Sequence, residues 1–588
     1  MKRYFKYVKP YIPFFILGPL CMIVEVIGEV VLPKLLAVII NYGIGTPETA
    51  GKGTGFIIAI CLAMIGVVVL MLLGGVGGAY FGAKAAVYFS NDLRKDVYKK
   101  IQEFSFSNID KFSAGSLVTR TTNDITQLQN FINMLLRMCL RSPGMLIGAI
   151  IMAVSINRQL SLVLVVAIPL IALVQFIIIK YGFPRFQMMQ EKIDDLNSNV
   201  QENLTNVRVV KSFVRENYEN KKFFKSNKNL KDAGIKAMNM MITMQPLMMI
   251  IMNATTLVVL WFGGRSVIDY VRTGVGMEVG DLTAFITYIS QILMSLLMLT
   301  MVFISSSRAI ASAKRINEVL DEIPDINDDN SKHKELKVTN GEIEFKNVSF
   351  RYYKNSPDAV LSNINLKIPS KKTVGIIGST GSGKTTLISL ISRLYDVDEG
   401  EVLIDGVNVK EFSLQNLRDG VGVVLQKNVL FTGSIEDNLR WGDHNATDEE
   451  VAAASKSAQA DLFINSFPDG YKTKLEQGGS NVSGGQKQRL CIARALLKKP
   501  KILILDDSTS AVDTATEANI RKSFKTTLKD STKIIIAQRI SSVIDADIIV
   551  VMDDGKISAV GTHEELINNN ETYQEIYYSQ MDKKEANK

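Results

Sequence analysis

Cysteine and histidine are too scarce in this chain to build a site. Among its 588 residues are four cysteines, Cys21, Cys61, Cys139 and Cys491, and they show no paired spacing. Three lie in apolar runs, so reduced, buried thiols are expected, and neither a disulfide framework nor a metal cluster is indicated. The three histidines, His333, His444 and His563, fall outside every motif described below. Clustered positive charge is missing too. The net charge is +8, yet Lys and Arg are scattered through segments flanking apolar runs, which reads as membrane topology and excludes a nucleic-acid footprint. The basic stretch MKRYFKYVKPY leads into a long apolar run without a small-residue cleavage site. A retained first helix with a cytoplasmic start is therefore expected in place of a signal peptide.

The apolar residues, 47% of the chain, crowd into the first 310 positions, and the total length already calls for at least two domains. Six stretches reach the roughly 20 residues needed to cross a bilayer: about 12–42, 54–87, 131–156, 159–182, 238–262 and 282–310. Connections at 43–53, 157–158 and 263–281 are short or mixed in charge, whereas 88–130 and 183–237 are long, polar and rich in Lys and Arg. The long ones are assigned to the cytoplasm. Few Pro or Gly interrupt them, so the membrane helices are expected to run on well past the bilayer before turning back. Residues 1–320 thus read as a transmembrane domain and the acidic, polar stretch 321–340 as a linker. Residues 341–588 read as a soluble α/β domain, opened by the alternating runs GEIEFKNVSFRYY and VLSNINLKI and the buried-strand run KKTVGIIG.

That domain carries a phosphate-binding pattern. GSTGSGKT spans Gly378, Ser379, Thr380, Gly381, Ser382, Gly383, Lys384 and Thr385, between the apolar run TVGII and the helical run that opens with Thr386. This is a P-loop in its required strand-to-helix context. Glycines let backbone N–H groups close around phosphates, the helix presents its positive end, Lys384 supplies charge and Thr385 can ligate Mg²⁺. The second half of such a site is KILILDD at 501–507, an apolar strand core ending in Asp506, a carboxylate positioned to hold the Mg²⁺.

Between these halves sits NVSGGQKQRLCIARALLKKP. At Ser483, Gly484, Gly485 and Gln486 the chain resembles the ATP-binding cassette (ABC) family, whose signature is SGGQ. The motif is a small-residue turn opening a helix, another anion-binding N-terminus. In the family it meets the γ-phosphate of ATP held by the opposite subunit, so the resemblance implies a pair of ATP-binding domains. It further implies Tyr352 as the aromatic that stacks on adenine, Gln426 as the loop glutamine sensing Mg²⁺ and the membrane domain, and Asp513 in STSAVD as a dimer contact. The membrane half resembles the exporters of this family. There, SAGSLVTRTTNDI near 114–125 and NLTNVRVVKSF at 203–213 would carry the coupling helices that dock on the ATP-binding domains. The expected fold is a six-helix membrane domain with long cytoplasmic extensions fused to an α/β P-loop ABC domain. It would sit in the cytoplasmic membrane with both termini inside.

Two positions depart from the family. Where exporters place a glutamate that activates water, this chain has Asp507, one methylene shorter; where they place a switch histidine, it has Gln538, which can hydrogen-bond but cannot relay a proton. Gln477 is a lesser departure, at a position where a glutamate is frequent. Together they resemble the degenerate-site member of bacterial heterodimeric multidrug-type exporters. The implied partner is a second, non-identical half with the usual Glu and His and an altered signature. A self-sufficient homodimer exporting lipid or peptide, and an ATP-binding regulatory subunit, are the alternatives.

Within the first apolar run, Glu25 and Glu29 lie one helical turn apart and share a face. Carboxylates at bilayer depth face a cavity or a partner. They would form either a polar patch for cationic substrate or an interhelical pair with Arg137 or Arg141. The fifth and sixth apolar runs are rich in methionine, among them Met241, Met244, Met248, Met249 and Met301, as pliable pockets and plain helix packing both allow. The cargo class implied by resemblance is amphipathic: drug-like, lipid or peptide.

Overall fold

A computed structural model describes residues 2–46, 49–328, 331, 334–353, 356–507 and 512–585. His333 and positions 508–511 of STSAVD lie outside the described residues, as do the side chains of Met241 and Met244. The chain divides into two compact units, Met1–Gln102 with Gly115–Asp321, and Glu103–Ala114 with Glu322–Lys588.

Among the described residues of the first unit, six helices are long and apolar enough to cross a membrane. The principal helices are α1 (Ile12–Val38), α2 (Thr54–Gln102), α3 (Phe106–Phe112, part of the second unit), α4 (Ile125–Met138), α5 (Arg141–Ile156), α6 (Leu162–Ile177), α7 (Phe183–Thr205), α8 (Val207–Ser212), α9 (Glu216–Thr273) and α10 (Val279–Asp321). At 1.5 Å per residue the 49 residues of α2 extend about 74 Å and the 58 of α9 about 87 Å, against an apolar bilayer core of about 30 Å. The helices continue well beyond the bilayer, as their uninterrupted polar extensions predict. Small residues set the packing. A Cβ at Gly74 on α2 would lie 2.8 Å from the Cys21 carbonyl oxygen of α1, so only glycine permits that approach. Ala149 and Ala153 of α5 and Phe285, Tyr288, Ile289 and Ile292 of α10 form a buried core, and the Tyr288 hydroxyl donates to the Val30 carbonyl at 2.8 Å.

The first long loop turns at a different place from the expected one. Residues 114–125 continue as helix, within the first unit from Gly115 on, whereas the turn falls at 103–113 and folds with the second. The cause is local. Ser105 and Asn108 form a capping box that starts α3, and Ser113, with φ 57°, ends it in a left-handed conformation. The second loop turns at α8, within the expected 203–213.

The second unit contains β1 (Ile343–Phe350), β2 (Leu361–Ile368), β3 (Thr373–Gly378), α11 (Lys384–Ile391), β4 (Glu399–Ile404), β5 (Val407–Asn408), β6 (Val421–Val424), α12 (Gly484–Leu497), β7 (Ile502–Asp506), α13 (Thr514–Thr527), β8 (Thr532–Ile536), β9 (Ile548–Asp553) and β10 (Lys556–Gly561). An antiparallel sheet runs β2-β1-β4-β5, and a larger one runs β10-β9-β3-β8-β7-β6. In the larger sheet every neighbouring pair is parallel except β9 with β10. Every residue of β7 and β8 is buried, which is why ILILD and TKIII read as near-continuous apolar runs.

The turn after β4 ties the start of this unit together. Asp405 (φ 53°) accepts hydrogen bonds from the backbone N–H groups of Thr339, Asn340 and Glu342 at 2.8, 3.0 and 3.0 Å. Burial opposes its charge, but these donors outweigh it and hold the carboxyl below its usual range. Asp405→Ala is expected to destabilise the unit by about 2–3 kcal/mol in chemical denaturation. Because the folded-state value is depressed, the contribution is present above the unfolded carboxylate's pKa and fades as pH falls through the folded one. The gap between wild type and variant should accordingly close in acid.

Candidate nucleotide site

Parallel pairing delivers the sequence-marked residues to one edge of the large sheet. Gly378 ends β3, Asp506 ends β7, Gln426 lies two residues beyond β6 and Gln538 two residues beyond β8. The registers align these ends: Asp506 pairs with Ile536, and Leu505 with Val424. The crevice beyond the carboxyl ends of parallel strands is where such sheets bind ligands.

Gly378–Gly383 wraps into the N-terminus of α11. Gly383 has φ 90°, and a Cβ there would lie 2.7 Å from Leu361 Cδ2, so the last turn before the helix requires glycine. Lys384 Nζ donates to the carbonyls of Gly378 (2.9 Å) and Ser379 (2.6 Å), and burial pulls its ammonium below the usual range. Thr385 Oγ1 donates to Asp506 Oδ1 at 3.2 Å, while Asp506 Oδ2 is buried with no hydrogen-bond partner. Burial raises the Asp506 carboxyl above its ordinary value. A hydroxyl and a carboxylate with a spare buried oxygen are hard oxygen donors, a set that fits Mg²⁺.

Asp507 follows with φ 46°, a left-handed conformation that costs a non-glycine residue about 1–3 kcal/mol. Its Oδ2 accepts a hydrogen bond of 2.9 Å from Gln538 Nε2, and its carbonyl accepts one from Gln488 Nε2 of α12 at 3.3 Å. Burial raises its carboxyl, against the opposing charges of Arg539 and Lys384. Tyr352 is half-exposed, with its hydroxyl 3.0 Å from Thr386 Oγ1. Gln426 is exposed in the bend after β6. Ser483 caps α12: its hydroxyl accepts from Gln486 N at 3.3 Å and its N–H donates to Gln486 Oε1 at 2.9 Å, leaving the turn at Gly484 exposed. Asp513 caps α13 by accepting from Thr516 N at 2.9 Å.

One member of this neighbourhood carries no motif. Tyr395 stacks edge-on against Tyr352, with ring centres 5.1 Å apart, and its hydroxyl donates to Asp110 Oδ2 of α3 at 3.1 Å. Burial, reinforced by Asp110, pushes its phenol above the usual range. Lys111 of the same short helix pairs with Glu322 at 2.7 Å. Nothing in the sequence around Tyr395 marks these contacts.

Glu25 and Glu29 have a common partner. An Arg141 Nη lies 2.5 Å from Glu29 Oε1 and 3.2 Å from Glu25 Oε1, so of the two arginines considered it is Arg141 that bridges α1 and α5. Met248 is buried in the helix core, whereas Met249 and Met301 are exposed.

Comparison with known proteins agrees with this architecture. Residues 15–296 match the ABC transporter transmembrane region family and residues 361–510 the ABC transporter family. The chain is 38% identical to the ABC transporter ATP-binding protein YfiB of Bacillus subtilis, over 99% of each chain. It is 35% identical to the fatty acid ABC transporter ATP-binding/permease protein of Mycobacterium tuberculosis, over 82% of this chain and 75% of that one. The solved structure of a bacterial Atm1-family ABC exporter with ATP bound is similar over 98% of both chains, with a TM-score of 0.76 and 25% identity. A transmembrane region and an ATP-binding domain fused in one polypeptide, matched end to end by such relatives, make this chain a member of the ABC exporter family, with the fold of the Atm1-type exporters and ATP-driven transport as its work.

Proposed function

We propose that the chain is one half of a heterodimeric exporter of amphipathic substrates in the cytoplasmic membrane, and that its own ATP site binds nucleotide but hydrolyses it slowly. The observation that carries this reading is the hydrogen bond between Gln538 Nε2 and Asp507 Oδ2. Bound Mg-ATP supplies the phosphoryl group that a water molecule attacks. Around it, Tyr352 offers a ring for adenine, Lys384 a charge for the phosphates, and Thr385, Asp506 and Gln426 oxygen donors for the metal. Asp507 would have to take a proton from the water. Its carboxylate is one methylene short of the usual reach, and its Oδ2 is engaged by an amide that neither accepts nor relays a proton. The exposed turn at Ser483–Gln486 has the small residues and capped N-terminus of an intact signature, suited to completing a competent site on a partner.

An amphipathic cargo is supported by the relative whose name assigns it to fatty acids. Closure of the ATP-bound pair would open the membrane cavity outward, and hydrolysis at the partner-derived site would reset it. Native mass measurement of the complex purified from source membranes through a tag on this chain tests the pairing. One copy of this chain with one different half is expected; two copies would replace this reading with a homodimer.

A further inference from the structure

Within the second unit, away from the P-loop edge, α13 and the segment after β8 enclose a cavity of about 210 Å³. Arg521, Lys522 and Lys525 line it from α13, Lys533 from β8 and Asp545 from the segment beyond, with Phe524 among the apolar groups of its wall. Arg521 is balanced by Glu517, whose Oε1 is 4.0 Å away. Lys522, Lys525 and Lys533 are offset by Asp545 on the wall and by Asp547, which acts on Lys533 but already pairs with Lys372 at 3.3 Å; none of the three forms an ion pair among the described residues, so the cavity keeps a surplus of positive charge.

The donors are in surplus as well. Arg521 gives one N–H to the Ser541 carbonyl at 2.7 Å, and its buried Nε, 4.0 Å from Glu517 Oε1, makes no hydrogen bond. Lys533 is 7% exposed, and its Nζ donates to the carbonyls of Leu528 and Ser531 at 3.1 and 3.0 Å, which leaves a third proton. A buried ammonium without an ion-pair partner is costly, and burial pulls Lys533 below its usual range, against the opposing charge of Asp547. A guanidinium with several ammonium groups, presenting unmet donors to a space for about seven waters, suits a compact polyanion rather than a nucleotide.

We propose that this cavity binds a small, soluble phosphate-bearing anion of inorganic-phosphate to pyrophosphate size. Such a ligand would join α13, which Asp513 caps, to the segment that follows β8 and carries Gln538, and would fix the two relative to each other. Neither step depends on the heterodimer reading.

The test is calorimetric titration of pyrophosphate into the full-length protein in phosphatidylcholine nanodiscs, with the P-loop saturated by Mg²⁺ and a non-hydrolysable ATP analogue. Saturable binding is expected, weakened at least about tenfold by Lys522→Glu with Lys525→Glu, both exposed positions where the fold tolerates the change. Lys472→Glu, on an exposed lysine outside the cavity, should leave it unchanged. No binding to the nucleotide-saturated protein, or equal loss with Lys472→Glu, would overturn the site. Discs containing phosphatidylglycerol separate the sources of phosphate. Undiminished pyrophosphate binding supports a soluble ligand; competition by the lipid headgroup overturns it.

Discussion

Asp507→Glu combined with Gln538→His is expected to raise steady-state Mg-ATP hydrolysis by the chain purified alone in lipid on the order of 100-fold. The size of the effect follows from geometry. Extending the carboxylate by one methylene moves its oxygens forward by about 1 Å, and a displacement of that size at a reacting centre is worth on the order of 100-fold. The second substitution removes the amide that now donates to Asp507 Oδ2 at 2.9 Å and puts a titratable ring in its place. Because Ser483–Gln486 form a complete signature turn, two copies of the double variant would supply everything that a competent site needs. Gln538→His alone should gain little, since the base remains short. Brisk turnover by the natural chain would show that Asp507 suffices as it stands, and the degenerate-site reading would fall.

The parts of this site legible in the sequence are those whose chemistry is local. A P-loop is contiguous, and its strand-to-helix context is visible in the flanking apolar runs. Asp506 and Asp507 are marked by the buried strand that ends on them. Parallel pairing then brings Gln426 and Gln538 to the same edge, an outcome that α/β alternation already implies. Tyr395 was not legible, because its partners Tyr352 and Asp110 lie 43 and 285 residues away and meet it only through tertiary packing. The position of the first loop's turn was misread for a different reason. SAGSLVTRTTNDI has the small and polar residues of a loop tip, yet it is helical from its second residue on, and the decisive signals were the Ser105–Asn108 capping box and the left-handed Ser113 that opens the stretch.

In the membrane unit, the substitution with the largest expected cost is Arg141→Met. Its guanidinium is the charge partner of both Glu29, at 2.5 Å, and Glu25, at 3.2 Å, and the remaining oxygens, Glu25 Oε2 and Glu29 Oε2, are buried without partners. Removing the cation leaves two carboxylates facing each other in a low-dielectric setting. Breaking a buried pair in this way costs about 3–5 kcal/mol, whereas replacing the whole cluster by apolar residues of similar volume is close to neutral or stabilising. Arg141→Met should therefore lower thermal stability sharply in lipid, and Glu25→Met, Glu29→Met with Arg141→Met should restore most of it. The triple variant also separates the two readings of the acidic pair. If Glu25 and Glu29 serve only to bridge α1 and α5, transport by the restored variant stays near the natural level for neutral and cationic cargo alike. If they select cationic substrate, stability returns while transport of cations alone is lost, because the site that remains has the shape of the original without its charge.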